Sequence, residues 1–220
     1  MGMAVMIVIF IGIVGLLLWW NAALRSKRVS ELKEFATRNK FTWSERDASW
    51  ASPYTGHFRF FTHGYNPRFQ DFLQRTSGDR RVCVFQFSYI TGSGKNRVSH
   101  IQSVVLIVSS KMNLPSFLLE PENILLKIGE IIGGGDIDFT ESPAFSSKYL
   151  LKGSDLERIT MLFSPEVRAF FEQNPGWSVE GMGDSLIAYR QGRLWPVREI
   201  TQLLHYGERI AGMFLSLIHI

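Results

Sequence analysis

Gly92-Ser93-Gly94-Lys95, inside YITGSGKNRVSH (89–100), carries the letters that end many phosphate-binding loops. Such a loop needs G-x-x-x-x-G-K-[ST] between a strand and a helix, so that amides at the helix start cradle phosphate and a hydroxyl holds magnesium. Counting back from Gly94-Lys95, the first glycine position is Tyr89, and Asn96 stands where the hydroxyl belongs. The residues that follow alternate like a strand. Nucleotide chemistry is therefore not encoded here; a glycine-rich hairpin turn with solvated Lys95 and Arg97 accounts for the letters.

Carboxylates and imidazoles are the next candidates. Asp136, Asp138 and Glu141 fall in GGGDIDFTES, but a carboxylate at every second residue also describes the wet face of a strand, and the calcium-loop pattern with its later glutamate is missing. His57 and His63 flank aromatics while His100 and His205 stand alone, whereas zinc requires close pairs with acidic or thiolate partners. Ser88, Ser93 and Ser154 lack a nucleophile elbow, and Ser154-Asp155-Leu156-Glu157 reads as a capping box. These residues point to no catalytic group, no metal site and no cofactor. The competing reading is a membrane-anchored enzyme whose site is assembled from dispersed polar residues around His57, His63 and Asp136.

The elements that would position these groups follow from periodicity. RVSELKEFATRNK predicts an amphipathic helix with Val29, Leu32, Phe35 and Ala36 on one face, ending near Asn39. Phe41 and Trp43 alternate as in a strand. SPYTGHFRFFTHGYNP reads as loop with a brief strand, and NPRFQDFLQRTSGDRR fits either a helix from Pro67 or a strand entering a Ser77-Gly78-Asp79 turn. Cys83, Phe85, Phe87 and Tyr89 oppose Val82, Val84, Gln86 and Ser88, and HIQSVVLIVSS answers with Ile101, Val105 and Ile107, which makes TGSGKN a hairpin tip. SFLLE, DIDF and KYLLKG resemble further strands. A helix from Pro121 presents Ile124, Leu125, Ile128, Ile131 and Ile132; Ser164-Pro165 starts another; and Gly183-Asp184 turns a second hairpin. Pro196 opens a last helix with a stripe of Val197, Ile200, Leu203, Leu204, Gly207, Ile210, Ala211 and Phe214. Hairpins with interspersed helices predict an α+β domain, an antiparallel sheet of hairpins with packed helices, over 41–214.

The first 24 residues belong to a different solvent. Met1 to Leu24 contains no charged side chain, and Met3 to Trp20 is almost unbroken hydrocarbon, a helix of about 27 Å that matches a bilayer core. Trp19 and Trp20 fall at headgroup level. A cleaved signal peptide would carry a positive n-region and a small-x-small cut site, and neither is convincing here. We therefore expect a transmembrane anchor over 1–24 followed by a basic juxtamembrane helix over 25–40. Between Arg25 and Lys40 stand six basic and two acidic residues, a surplus of +4 that equals the whole chain's net charge. Residues 41–220 are neutral, so the basic pI implies no nucleic-acid partner. By the positive-inside rule the chain is single-pass in the inner (cytoplasmic) membrane, N-terminus outside and domain in the cytoplasm. Cys83, the only cysteine, cannot form an intramolecular disulfide, which suits a reducing compartment.

FSYITGSGKNRVSH, followed by LPSFLLEPENILLKIG, GGDIDF and SPAFSSKYLLKG, resembles an uncharacterised family of bacterial proteins with one N-terminal membrane helix and a cytosolic domain. The resemblance covers residues 25–214 and implies the single-span architecture; it brings no catalytic residues with it. LSLIHI, 215–220, resembles the translation of a transposase end used in preparing sequencing libraries, so the native terminus is expected to differ beyond Phe214. Charge is uneven within the domain: 57–100 carry seven basic and two acidic residues, 111–220 ten and fourteen. Either the two halves neutralise one another, or Arg59, Arg68, Arg80, Arg81, Lys95 and Arg97 form a basic surface. The expected function is a membrane-anchored module that binds a protein partner or anionic lipid headgroups of the bilayer, through contacts drawn from Arg25, Lys27, Arg28, Arg80, Arg81, Lys95 and Arg97.

Overall fold

The uncharged opening stretch and the basic segment after it form one uninterrupted helix, α1 (Gly2–Arg38), in a computed structural model that describes residues 2–46, 52–122 and 136–218. By length and composition α1 is apolar enough to cross a bilayer. Its described side chains up to Leu24 are all exposed, whereas Leu32 and Ala36 in its second half are buried. The helix stops where the Asn39 side chain bonds the Phe35 carbonyl at 2.9 Å and Lys40 takes a left-handed φ of 57°.

The chain then enters β1 (Thr42–Ser44), α2 (Ser52–Thr55) and a 3-10 turn (Arg59–Thr62), so 52–62 is helical turn and not the brief strand expected. β2 (Tyr65–Ser77) and β3 (Arg80–Thr91) form a hairpin about Gly78, whose φ of +60° suits glycine. β4 (Val98–Ser109), β5 (Leu114–Pro121), α3 (Pro143–Ser146), β6 (Tyr149–Gly153), α4 (Leu156–Leu162), α5 (Pro165–Gln173), β7 (Ser178–Gly183), β8 (Ser185–Tyr189) and α6 (Ile200–Ile218) follow. Among the described residues eight strands make one antiparallel sheet in the order β1-β2-β3-β4-β8-β7-β5-β6. The fold is α+β, with hairpins and packed helices after one long apolar N-terminal helix.

The helix expected from Pro121 through Ile132 falls largely outside the described residues. The DIDF segment is irregular and not a strand. It runs beside edge strand β6, where the Ile137 amide bonds the Leu151 carbonyl at 2.9 Å, but the Asp136 side chain, and not a backbone carbonyl, receives the Leu151 amide. The cap of α4 is Asp155, which accepts from the Arg158 amide, and not Ser154: the box lies one residue out of register. Ser164 caps α5 as expected, accepting from the Val167 amide.

Both faces of the sheet are covered. Val82, Val84, Val105 and Ile107 pack under α4, α5 and α6, and Gly207 of α6 lets that helix approach so closely that a Cβ there would stand 2.6 Å from Val105 Cγ1. Cys83, Phe85, Phe87, Val104 and Leu106 on the other face pack under Phe58, Phe60 and Phe61 of the 52–62 strap.

Candidate functional site

Two places gather polar groups that the fold has buried. The first joins α1 to the sheet. Asp71 sits in β2 within the register shift between Gln70 and Leu73, with a left-handed φ of 59° and its amide bonded to the Glu45 carbonyl at 3.0 Å. This bulge turns its carboxylate, only 2% exposed, toward α1. Both terminal guanidinium nitrogens of Arg25 engage it, Nη2 donating to Oδ1 at 2.9 Å, in a bidentate fork. Arg28 Nε lies 3.9 Å from the same carboxylate, and its Nη1 donates to the Trp195 carbonyl at 3.2 Å. The bond to Asp71 raises the pKa of Arg25, while burial lowers that of Arg28. Both remain charged at neutral pH.

The second lies under the strap. Glu180 of β7 accepts from the Arg59 and Phe60 amides at 2.7 and 2.9 Å, one bond on each oxygen. Burial pushes its pKa up to about 7 against those two bonds, which favour the charged form. Glu120 of β5 is pushed by burial to about 6; Tyr189 donates to its Oε1 at 3.5 Å, and Oε2 is buried without a hydrogen bond. Phe60 stacks on Tyr189 with ring centroids 3.8 Å apart. Beside this group a cleft of about 100 Å³, lined by His57, Arg59, Lys152, Ser154 and Glu180, opens at the sheet surface. That is small against the roughly 300 Å³ or more of pockets that enclose organic ligands.

The basic residues singled out from the sequence are separated by the fold. Arg25 and Arg28 turn inward to Asp71, and Lys27 is exposed on α1. Arg80 and Arg81 stand at the β2–β3 turn; Lys95 and Arg97 occupy the β3–β4 tip, with Arg97 Cζ 5.8 Å from the Tyr65 ring. The ends of β3 are about 36 Å apart at the usual strand rise, so these two pairs form no common patch. The opposite charges of the two halves do meet in part, for Arg75 pairs with Glu208 at 3.0 Å.

Nor does the fold assemble His57, His63 and Asp136. His57 lines the small cleft; His63, its pKa lowered by burial, packs near Phe60 with centroids 6.4 Å apart; Asp136 lies beside edge strand β6 with its Oδ1 accepting from the Leu151 amide. Glu141 pairs with the buried Arg168 at 3.1 Å. Among the described residues no three His, Cys, Asp or Glu side chains stand close enough to share a metal ion. Burial pushes the Cys83 thiol far up, which leaves it inert. Sequence reasoning missed Asp71, Glu120 and Glu180. The one available signal was acidic residues inside otherwise strand-like runs, NPRFQDFLQ, SFLLE and WSVEGM.

No family model and no curated protein matches this chain. Among solved structures it is similar to the crystal structure of the mycobacterial trehalose monomycolate transport factor A, TtfA, with a TM-score of 0.53 at 9% sequence identity, over 86% of this chain and 93% of that one. Likeness at that identity shows a common fold.

Proposed function

We propose that this protein is a membrane-anchored module that works by binding, with α1 as its single span and the domain fixed at the membrane surface. The carrying observation is the continuity of α1. Its exposed apolar half passes without a break into a half clamped on the sheet by the Arg25–Asp71 fork. A flexible tether would let the domain roam; this junction orients it. The structural neighbour carries the name of a transport factor, which is compatible with a membrane-associated module.

The six cations between Arg25 and Lys40 support a cytoplasmic domain, since the positive-inside rule counts residues near the span whether or not they are paired. The exposed cations, with Lys27 among them, are suited to anionic headgroups or an acidic partner. In vesicles the full chain is expected to resist carbonate extraction. A chain that washes off would defeat the anchor, and activity of a periplasm-only reporter fused after Phe214 would reverse the orientation.

A further inference from the structure

We infer that the β3–β4 hairpin tip is a second membrane contact, which docks on an anionic lipid surface beside the span. The inference rests on reading α1 as that span. Four observations carry it. The tip is built and not slack: Gly92 has φ +72°, a Cβ there would fall 2.2 Å from the Asn96 carbonyl oxygen, and the Tyr65 hydroxyl donates to the Gly92 carbonyl at 3.1 Å.

Its flanks carry exposed hydrocarbon. Outside α1, the exposed large apolar side chains among the described residues are Tyr65, Val98, Ile101, Leu156 and Met161, and the first three stand at or beside this tip. Cations surround them. Lys95 and Arg97 are exposed on the tip, and the exposed Arg68 shares a row with Ile101, each paired with Ser88 from opposite sides. Val98 and Ile101, three residues apart on β4, face opposite sides of the hairpin, so the tip enters edge-on with exposed hydrocarbon on both sides and cations beside it, which an anionic headgroup layer accepts.

The tip also lies on the membrane side. Along α1, Arg25 meets Asp71, Lys33 sits over Trp43, which pairs with Leu73, and past the helix end Phe41 packs under Arg75. The contacts move away from Tyr65 as α1 proceeds, so toward its apolar end α1 heads to the Tyr65 end of the sheet, where the tip is. From Gln86, level with Asp71, to Thr91 is about 17 Å of strand, whereas α1 rises only about 8 Å from Arg25 to Trp20. A hairpin inclined to the helix therefore still reaches headgroup depth.

The test uses the full chain in phosphatidylcholine vesicles with and without phosphatidylglycerol. A fluorophore is placed at Val98→Cys or, as the distal control, at Thr76→Cys; Cys83, 0% exposed, stays unlabelled. The expected result is severalfold stronger quenching by headgroup-level nitroxide lipid at position 98 than at 76. This quenching should need phosphatidylglycerol, weaken with salt, and be lost when Lys95→Gln and Arg97→Gln are added. Equal quenching at both positions, or quenching indifferent to lipid charge, would overturn the proposal. Shielding of position 98 that grows with protein density but not with nitroxide lipid would mean a protein contact and would also overturn it. Carbonate extraction of the same samples separates the failures: a chain that washes off defeats the span and the tip together, whereas a retained chain with matching signals at 98 and 76 defeats the tip alone.

Discussion

On one face of the sheet three helices seal a hydrocarbon layer around Phe163, Phe171 and Phe214, each fully buried; on the other, a short strap is held by three phenylalanines and by the Arg59 and Phe60 amides on Glu180. The first cover needs only apolar area, which is insensitive to pH. The second includes buried carboxylates held by backbone amides and a tyrosine hydroxyl, whose desolvation outweighs the pull of nearby Arg59 and Lys152, and burying a charge in that way is costly. The helical face should therefore hold the domain together under all ordinary conditions, whereas the strap's attachment depends on protons.

The largest effect tests the helical face. Phe163→Ala, at a site with 0% exposure, is expected to cost about 3–5 kcal/mol and lower the urea midpoint of the whole domain, read by fluorescence and circular dichroism together. If only part of the signal moved, the two faces would be folding independently.

The next prediction concerns pH. Glu180 is raised to about 7 and Glu120 to about 6 from an ordinary 4.5, so the folded protein keeps protons that the unfolded chain releases between these values. Their contribution is complete below about pH 4.5 and is lost as pH rises through about 7, an effect of at most about 3 kcal/mol from Glu180 and about 2 kcal/mol from Glu120. Asp79, Glu141 and Glu166, held below the usual carboxylate range, act oppositely only in stronger acid, and His63, lowered by burial from an ordinary 6.5, opposes the trend only below that value, which leaves pH 6.5–8 as the cleanest window within pH 5–8. Denaturation at several pH values should show stability falling across it. Glu180→Gln should flatten most of that slope while costing roughly 1–2 kcal/mol, because the amide NH2 replaces one of the two oxygens that accept the Arg59 and Phe60 amides. An unchanged slope would show that Glu180 does not control the strap.

Asp71→Asn sharpens the comparison at the membrane junction. Asparagine tolerates the left-handed φ of 59°, so the variant removes the charge without disturbing the bulge. It should cost about 1–3 kcal/mol and loosen α1, measured as faster proteolysis between Arg25 and Arg46 in detergent. Arg25→Ala should do more harm than its exposure implies, since it leaves the buried carboxylate with Arg28 alone. The smallest effect is expected at Ser164→Ala, about 1 kcal/mol, from loss of the cap on α5.

What could be read in advance follows the same division. The β3 alternation, both hairpin turns and the α6 stripe were legible because each meets its neighbours with one regular face. β2 was ambiguous for a reason the structure supplies: the bulge at Asp71 adds a residue, so Phe69 and Phe72 reach the same face at a spacing that imitates a helix. The strap was read as loop with a brief strand because its phenylalanines follow no period; the sheet beneath orders them. Glu120 and Glu180 looked like ordinary strand residues, since only pairing across β5 and β7 brings them under one cover. The basic residues were grouped as one candidate surface, although the strand between the Ser77-Gly78-Asp79 turn and the TGSGKN tip already held Arg80 and Arg81 apart from Lys95 and Arg97.

The unbroken α1 has a mechanical consequence. With no joint between its apolar and docked halves, any lean imposed on the upper part must appear in the domain. From Arg25 to Arg38 the helix covers about 20 Å, so each ~10° of lean swings the far end by about 3 Å. Bilayers of unequal thickness impose unequal lean. The same domain would thus present a different aspect to its surroundings in a thin membrane than in a thick one.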